Sequence, residues 1–270
     1  MRQGIIFILL VTYQIVFGQD TIRLMHYNLL NYGNYFSGCT STNNNVNDKN
    51  EYLKVIVDYV KPDIITVNEI SDDEFYHDLI LTDVLNIGGI NYFTRPYLPN
   101  SSNSPIMNQV YYNTQKFTLL GNTALPTNYR DIDVLKFRVN TSGNVEDIFL
   151  NCAVAHLKAG DEPEERGYEV NQLMNYLNNS SAAGNYTFSG DFNIYTASEP
   201  AFQNMLYYPN AAVRFYDPVN QIGSWNSNSY FAGVHTQSTH TSSNCASGGG
   251  MDDRFDFILI SDEIRMERKK

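Results

Sequence analysis

Residues 187–193 read Thr-Phe-Ser-Gly-Asp-Phe-Asn (TFSGDFN). An extended segment, Tyr186 to Ser189, runs into Gly190, and a carboxylate and a carboxamide follow at Asp191 and Asn193. Residues two apart on extended backbone project to the same side, so this pair is placed to converge on one small, hard target. Ser, Gly, Asp and Asn are also the usual turn residues. On this stretch alone the turn is the favoured reading, and the rest of the chain decides.

Working outward, several other segments predicted as strands end in polar residues. Thr21–Tyr27 alternates and ends at Asn28; Asp63–Val67 is short, apolar and ends at Asn68-Glu69; Asp147–Ala155 runs into His156. Further strands are predicted at Met107–Tyr112, Phe117–Leu120, Asp133–Val139, Ala211–Tyr216 and Phe255–Ile260. Helical spacing covers Glu51–Val60, Asp72–Leu85 (with Ser71 as its N-cap) and Glu164–Asn178. Strands interleaved with helices predict a layered α/β sandwich of mixed sheets. Sites in open α/β sheets form beyond strand ends, so Asn28, Glu69, His156, Asp191 and Asn193 are placed to share one rim. Each has a blander reading: Glu69 as a helix cap, His156 as an ordinary core or surface histidine. Joint occurrence at strand ends favours the site.

Composition sets the limits. The chain has 270 residues, 43% of them hydrophobic and 13% aromatic, with no repeat or low-complexity tract. Met1-Arg2, an apolar run from Gly4 to Phe17 and a small residue at Gly18 have the order of a secretory signal over residues 1–18, with a single-pass anchor as the alternative. Residues 19–270 then form one domain, secreted or periplasmic. The net charge is −11, so the overall field repels phosphodiesters, and an anionic substrate would need bound cations and local basic residues. Of three cysteines, Cys152 lies in an apolar run. Cys39 and Cys245 sit in polar loops, and a Cys39–Cys245 disulfide is the hypothesis for an oxidising compartment.

The stretches HYNLLNYG, KPDIITVNEI, AHLKAG, SGDFN and RFDFILIS occur in an order that resembles the endonuclease/exonuclease/phosphatase superfamily of metal-dependent phosphodiesterases, over about Thr21 to Ile260. The resemblance implies a four-layer α/β sandwich of two packed mixed sheets flanked by helices. It implies Mg²⁺ as cofactor, with Mn²⁺ or Ca²⁺ as alternatives, held by Glu69 and Asn28. It further implies that His156 contacts the scissile phosphate, Asp191 positions the attacking water, Asn193 holds phosphate geometry, and Asp256 orients a catalytic histidine. Arg130 and Lys158 are weaker candidates for phosphate contacts; His240 is not assigned to catalysis.

The match departs from the family at the end. Family members carry a further strand with an Asp-His pair, whereas this sequence runs SDEIRMERKK and has no histidine after His240. The expectation is therefore a domain incomplete at its C-terminus, with the last strand missing, Ile260 without a strand to pack against, Asp256 without its histidine, and activity impaired. The implied function is a secreted phosphodiesterase, foremost a nuclease on extracellular DNA. A sphingomyelinase-like phospholipid phosphodiesterase and a non-catalytic phosphate-binding relative are the alternatives. Nucleic acid is the expected substrate and phospholipid the second; no stable protein partner is implied, and a monomer is expected.

Overall fold

Strand β1 (Leu24–Tyr32) lies parallel to β2 (Ile64–Ser71), with His26 opposite Thr66 and Asn28 opposite Asn68. The computed structural model describes residues 21–141, 146–180, 184–239, 245, 248 and 250–267. The expected signal segment at 1–18 and His240 lie outside them. On β1, Met25, Tyr27 and Leu29 face helix α1 (Val46–Val60), so His26 and Asn28 face the other way, as strand alternation requires.

The remaining strands are β3 (Phe93–Thr94), β4 (Ile106–Asn113), β5 (Phe117–Leu125), β6 (Ile132–Val139), β7 (Ile148–His156), β8 (Asn185–Asp191), β9 (Phe215–Tyr216) and β10 (Asp256–Ser261). They form a four-stranded sheet, β1-β2-β4-β3, and a six-stranded sheet, β5-β6-β7-β8-β10-β9. Each has one parallel pair, β1–β2 and β7–β8, among antiparallel ones, so both are mixed. The helices are α1, α2 (Glu74–Ile80, continued by a π turn to Leu85), α3 (Pro163–Ser180), α4 (Pro200–Leu206) and α5 (Asp262–Glu267).

The layers follow from the side-chain alternation. Val134, Ala153 and Phe188 join Val170, Leu173, Met174 and Leu177 of α3 in one core. On the opposite face of the same sheet, Leu135, Cys152 and Val154 meet Val110 and Tyr112 of the four-stranded sheet. The stretch 152–155 of β7 is thus buried on both faces, which is why it is continuously apolar. The expected α/β sandwich of two packed mixed sheets flanked by helices is the observed fold.

Several boundaries move. Helix α2 is capped by Asp73, whose carboxylate accepts from Phe75 N, not by Ser71. Ala211–Tyr216 is a 3₁₀ turn (Ala211–Val213) and a two-residue strand, because Asn210 caps the turn through Ala212 N. Helix α4, with Pro200 at its first turn, escaped the periodicity reading because it is short. The edge of β10 is covered by an earlier strand, not by a following one: Ile260 pairs with Tyr216 of β9, so β10 lies inside the sheet. Ser261 accepts from Tyr186 N and so ties β10 to the start of β8. Cys39 and Cys245 form the expected disulfide, and Cys152 is a buried free thiol.

Candidate metal and phosphate site

Two backbone irregularities build the rim. The β1–β2 register shifts between Asn28 and Tyr32, where Leu30 and Asn31 are left-handed (φ 50° and 53°). The β2–β4 register shifts between Val67 and Ile70, where Glu69 is left-handed (φ 59°). Non-glycine residues adopt that conformation at an energetic cost, and such strain clusters at functional sites. The bulges bring Asn31 N to Glu69 Oε2 at 3.0 Å. Lys49 secures the β1 bulge by donating to the carbonyls of Leu29 and Leu30; burial pulls this amine down to about 8.

Residues 187–193 contain both of the elements the sequence suggested. Strand β8 continues to Asp191, so Ser189 and Asp191 share the face toward the first sheet. A turn then follows: Asp191 Oδ1 accepts from Asn193 N at 3.1 Å, and Asn193 is left-handed (φ 50°). Gly190 is required by close approach, since a Cβ there would stand 1.8 Å from Ala155 O.

The site lies where these strand ends meet. Asn28 Nδ2 donates to Glu69 Oε1 (2.9 Å) and to Asp191 Oδ2 (2.8 Å), bridging carboxylates from different sheets. His156 Nε2 is 3.8 Å from Glu69 Oε1 and 4.0 Å from Asp191 Oδ2. From below, Asn68 Oδ1 accepts from Asp191 N at 2.7 Å, and Asn68 Nδ2 donates to Asn108, which donates to Asp133. Burial, then the nearby charge of Asp256, pushes the Asp191 carboxyl up to about 8. Burial and the cation of Arg130 hold His156 well below the usual imidazole range, so its ring is neutral at physiological pH.

Candidate ligand atoms of Glu69, His156 and Asp191 lie within 4.8 Å of one another. One buried and one partly buried carboxylate with a neutral imidazole are a donor set for a divalent cation. The buried Nδ1 of His156 has no partner, so the ring is not committed elsewhere. Asn28 does not present an oxygen to this cluster: its Oδ1 accepts from Leu30 N at 2.8 Å, and its amide nitrogen faces the carboxylates. It sits as a clamp between the carboxylates and not as the oxygen donor expected of it.

No protein-family profile matches the chain, and no curated protein matches it. Solved structures do. The human Nocturnin catalytic domain with bound sulfate is 14% identical at a TM-score of 0.55, covering 89% of this chain and 83% of that one. D. rerio TDP2 complexed with a single-strand DNA product is 15% identical at 0.57, again covering 89% and 83%. A Bacteroides thetaiotaomicron endonuclease/exonuclease/phosphatase family protein is 12% identical at 0.58, covering 91% and 85%. The fold is that of the endonuclease/exonuclease/phosphatase superfamily.

Within this superfamily fold the residues singled out in the sequence divide in two. Asn28, Glu69, His156 and Asp191 converge, and Asp256 stands beside them, opposite Asp191 in the β8–β10 register. Arg130 is spent on structure: its Nε and Nη2 donate to the carbonyls of His156 and Leu157, both at 2.7 Å, fixing the β7 exit. Lys158 Nζ donates to Ala159 O and lies 5.1 Å from the Tyr129 ring centre. Asn193 Nδ2 donates to Leu157 O. None of these three side chains donates a hydrogen bond to the side chains of Glu69, His156 or Asp191, although the Arg130 cation acts on all three through its charge. Asp256 meets a histidine from the first strand instead of the C-terminal one expected by resemblance: His26 Nε2 lies 3.1 Å from its Oδ1. Sequence reasoning passed over His26, although it sits two residues before Asn28 and alternation puts both on one face. It also left Asn31 (β1), Lys49 (α1) and Asn108 (β4) unassigned, although Asn31 falls within HYNLLNYG.

Proposed function

We propose that this protein is a divalent-metal-dependent phosphodiesterase acting on nucleic acid, foremost extracellular DNA. The observation that carries the reading is the convergence of Glu69, His156 and Asp191 at the ends of three strands from two sheets. Glu69, Asp191 and His156 would hold the ion, Mg²⁺ first, with Mn²⁺ favoured next by the imidazole in the set. When bound, it would supply positive charge against the phosphate, which a chain of net charge −11 otherwise lacks.

The protein's own residues then have distinct tasks. Asp191, held by Asn28 across from Glu69, is placed to orient the attacking water and take its proton. Asn28 keeps Asp191 and Glu69 in fixed relation across the two sheets. The neutral His156 ring, its Nε2 3.8 Å from Glu69 Oε1, completes the donor set for the ion. Arg130 and Asn193 hold the Leu157 backbone against which His156 is set.

The two aromatic pairs singled out in the sequence give the phospholipid alternative no support. Phe93 is buried, and Tyr208 is partly buried and bonds Asn175, so neither Tyr92-Phe93 nor Tyr207-Tyr208 makes an exposed apolar pair for a bilayer. A solved neighbour, D. rerio TDP2, is complexed with single-strand DNA, which supports nucleic acid as the substrate. The Cys39–Cys245 disulfide supports secretion to an oxidising compartment. His26 holds Asp256 but, buried and with both ring nitrogens engaged, it does not reach substrate and does not stand in for a catalytic histidine. The test is hydrolysis of supercoiled plasmid, single-stranded DNA, RNA and sphingomyelin vesicles with Mg²⁺. Cleavage of DNA ahead of the others is expected, and cleavage of sphingomyelin alone would select the lipid reading. Asp191→Asn is expected to lower the rate by about 100-fold or more.

A further inference from the structure

A second polar layer lies directly beneath the site. Two residues back on each strand from Asn28, Asn68 and Asp191 stand His26, Thr66 and Ser189, all turned into the space between the sheets. Thr66 and Ser189 are fully buried and their hydroxyls meet at 2.8 Å across the sheet interface. The His26 side chain is 2% exposed, and both ring nitrogens are engaged: Nδ1 with Thr66 Oγ1 at 3.1 Å, Nε2 with Asp256 Oδ1 at 3.1 Å.

We infer that His26 is a positioning residue for Asp256, a histidine–aspartate dyad built from the first and last strands; the inference rests on the phosphodiesterase reading above. A carboxylate only accepts, so Nε2 carries a hydrogen, while Nδ1 meets the Thr66 hydroxyl, which also contacts Ser189 Oγ (2.8 Å) and Met25 O (3.4 Å). With both nitrogens used and the ring buried, His26 does not touch substrate; it acts through Asp256. Asp256 heads β10 with its backbone N held by Thr236 Oγ1 at 2.9 Å, and it stands in register with Asp191. Anchoring Oδ1 keeps the charge of Asp256 against Asp191 instead of letting the side chain turn to solvent. The same bonds tie β1 and β2 of one sheet to β8 and β10 of the other, under the residues that must stay in fixed relation.

The test combines kinetics with a spectroscopic signature on the full chain. On the DNA substrate with saturating Mg²⁺, His26→Ala should lower kcat by roughly 10- to 100-fold and leave KM within about threefold, as for groups that orient a site residue. His26→Gln, which keeps a donor for Asp256, should recover most of that loss. Thr66→Val, which breaks only the far bond, should cost less than His26→Ala. Independently of turnover, ¹⁵N-histidine NMR should show His26 protonated at Nε2, with its signals displaced in Asp256→Ala. Folded His26→Ala with wild-type kcat would overturn the inference, as would equal losses in the Ala and Gln variants that track melting temperature. So would His26 signals unmoved by Asp256→Ala, a result that stands even if His26→Ala fails to fold. A wild type inert on every phosphodiester would instead defeat the functional reading, and the NMR result would still decide the dyad.

Discussion

At the residue scale, the site is assembled by side chains that hold other side chains. Asn28 bridges two carboxylates, Asn68 holds the Asp191 amide, and His26 holds Asp256. What the sequence made legible was the set of polar strand ends. What it hid were partners chosen by cross-sheet proximity: His26 and Asp256 are 230 residues apart, and no local pattern joins them. Asn28 was found, yet its oxygen is taken by a backbone N–H two residues on, which only the bulge reveals. Gly190 gives the sharpest prediction at this scale. A methyl there collides with Ala155 O at 1.8 Å, so Gly190→Ala should destabilise by about 3 kcal/mol or more, or prevent folding. Urea denaturation measures the loss; a variant as stable as wild type would show that β7 and β8 separate more easily than described.

Among the elements, strands were readable where burial on both faces left short, largely apolar runs, as at 152–155 of β7 and 64–67 of β2. The ends were less readable, because tertiary caps decide them: Asp73 for α2 and Asn210 for the 3₁₀ turn. The seam between the sheets also carries a titrating group. Asp133 of β6 is buried, with Oδ1 unpartnered and Oδ2 accepting from Asn108 at 2.9 Å. Burial pushes its carboxyl from 3.8 up to about 7. Below the lower value both folded and unfolded chains hold the proton. Between the two values only the folded chain holds it, so stability falls as pH rises from about 4 to about 7 and is level above. The size is on the order of a few kcal/mol. Asp133→Asn should flatten this segment of the stability–pH curve; an unchanged slope in urea melts would assign the effect elsewhere.

For the whole molecule, the layered architecture followed from interleaved strands and helices, and so did the prediction that one domain carries the rim. The Cys39–Cys245 bridge joins the loop after β1 to the segment before β10, 206 residues apart. Closing so long a loop restricts the unfolded chain, so the Cys39→Ser, Cys245→Ser double variant should lose about 2–4 kcal/mol. Calorimetry would read this as a lower Tm, and an unchanged Tm would mean the loops are held by packing alone. The central claim concerns charge: a chain of net −11 handles phosphodiesters only through a cation at Glu69, His156 and Asp191. The direct measurement is the initial rate of DNA hydrolysis against free Mg²⁺ after chelation, for wild type and Glu69→Gln in parallel. The expected result is a rate that vanishes on chelation, returns saturably with Mg²⁺ in the wild type, and in Glu69→Gln stays at least about 100-fold lower or needs far more metal. Hydrolysis that survives chelation, or a Glu69→Gln curve superimposed on the wild type, would contradict it.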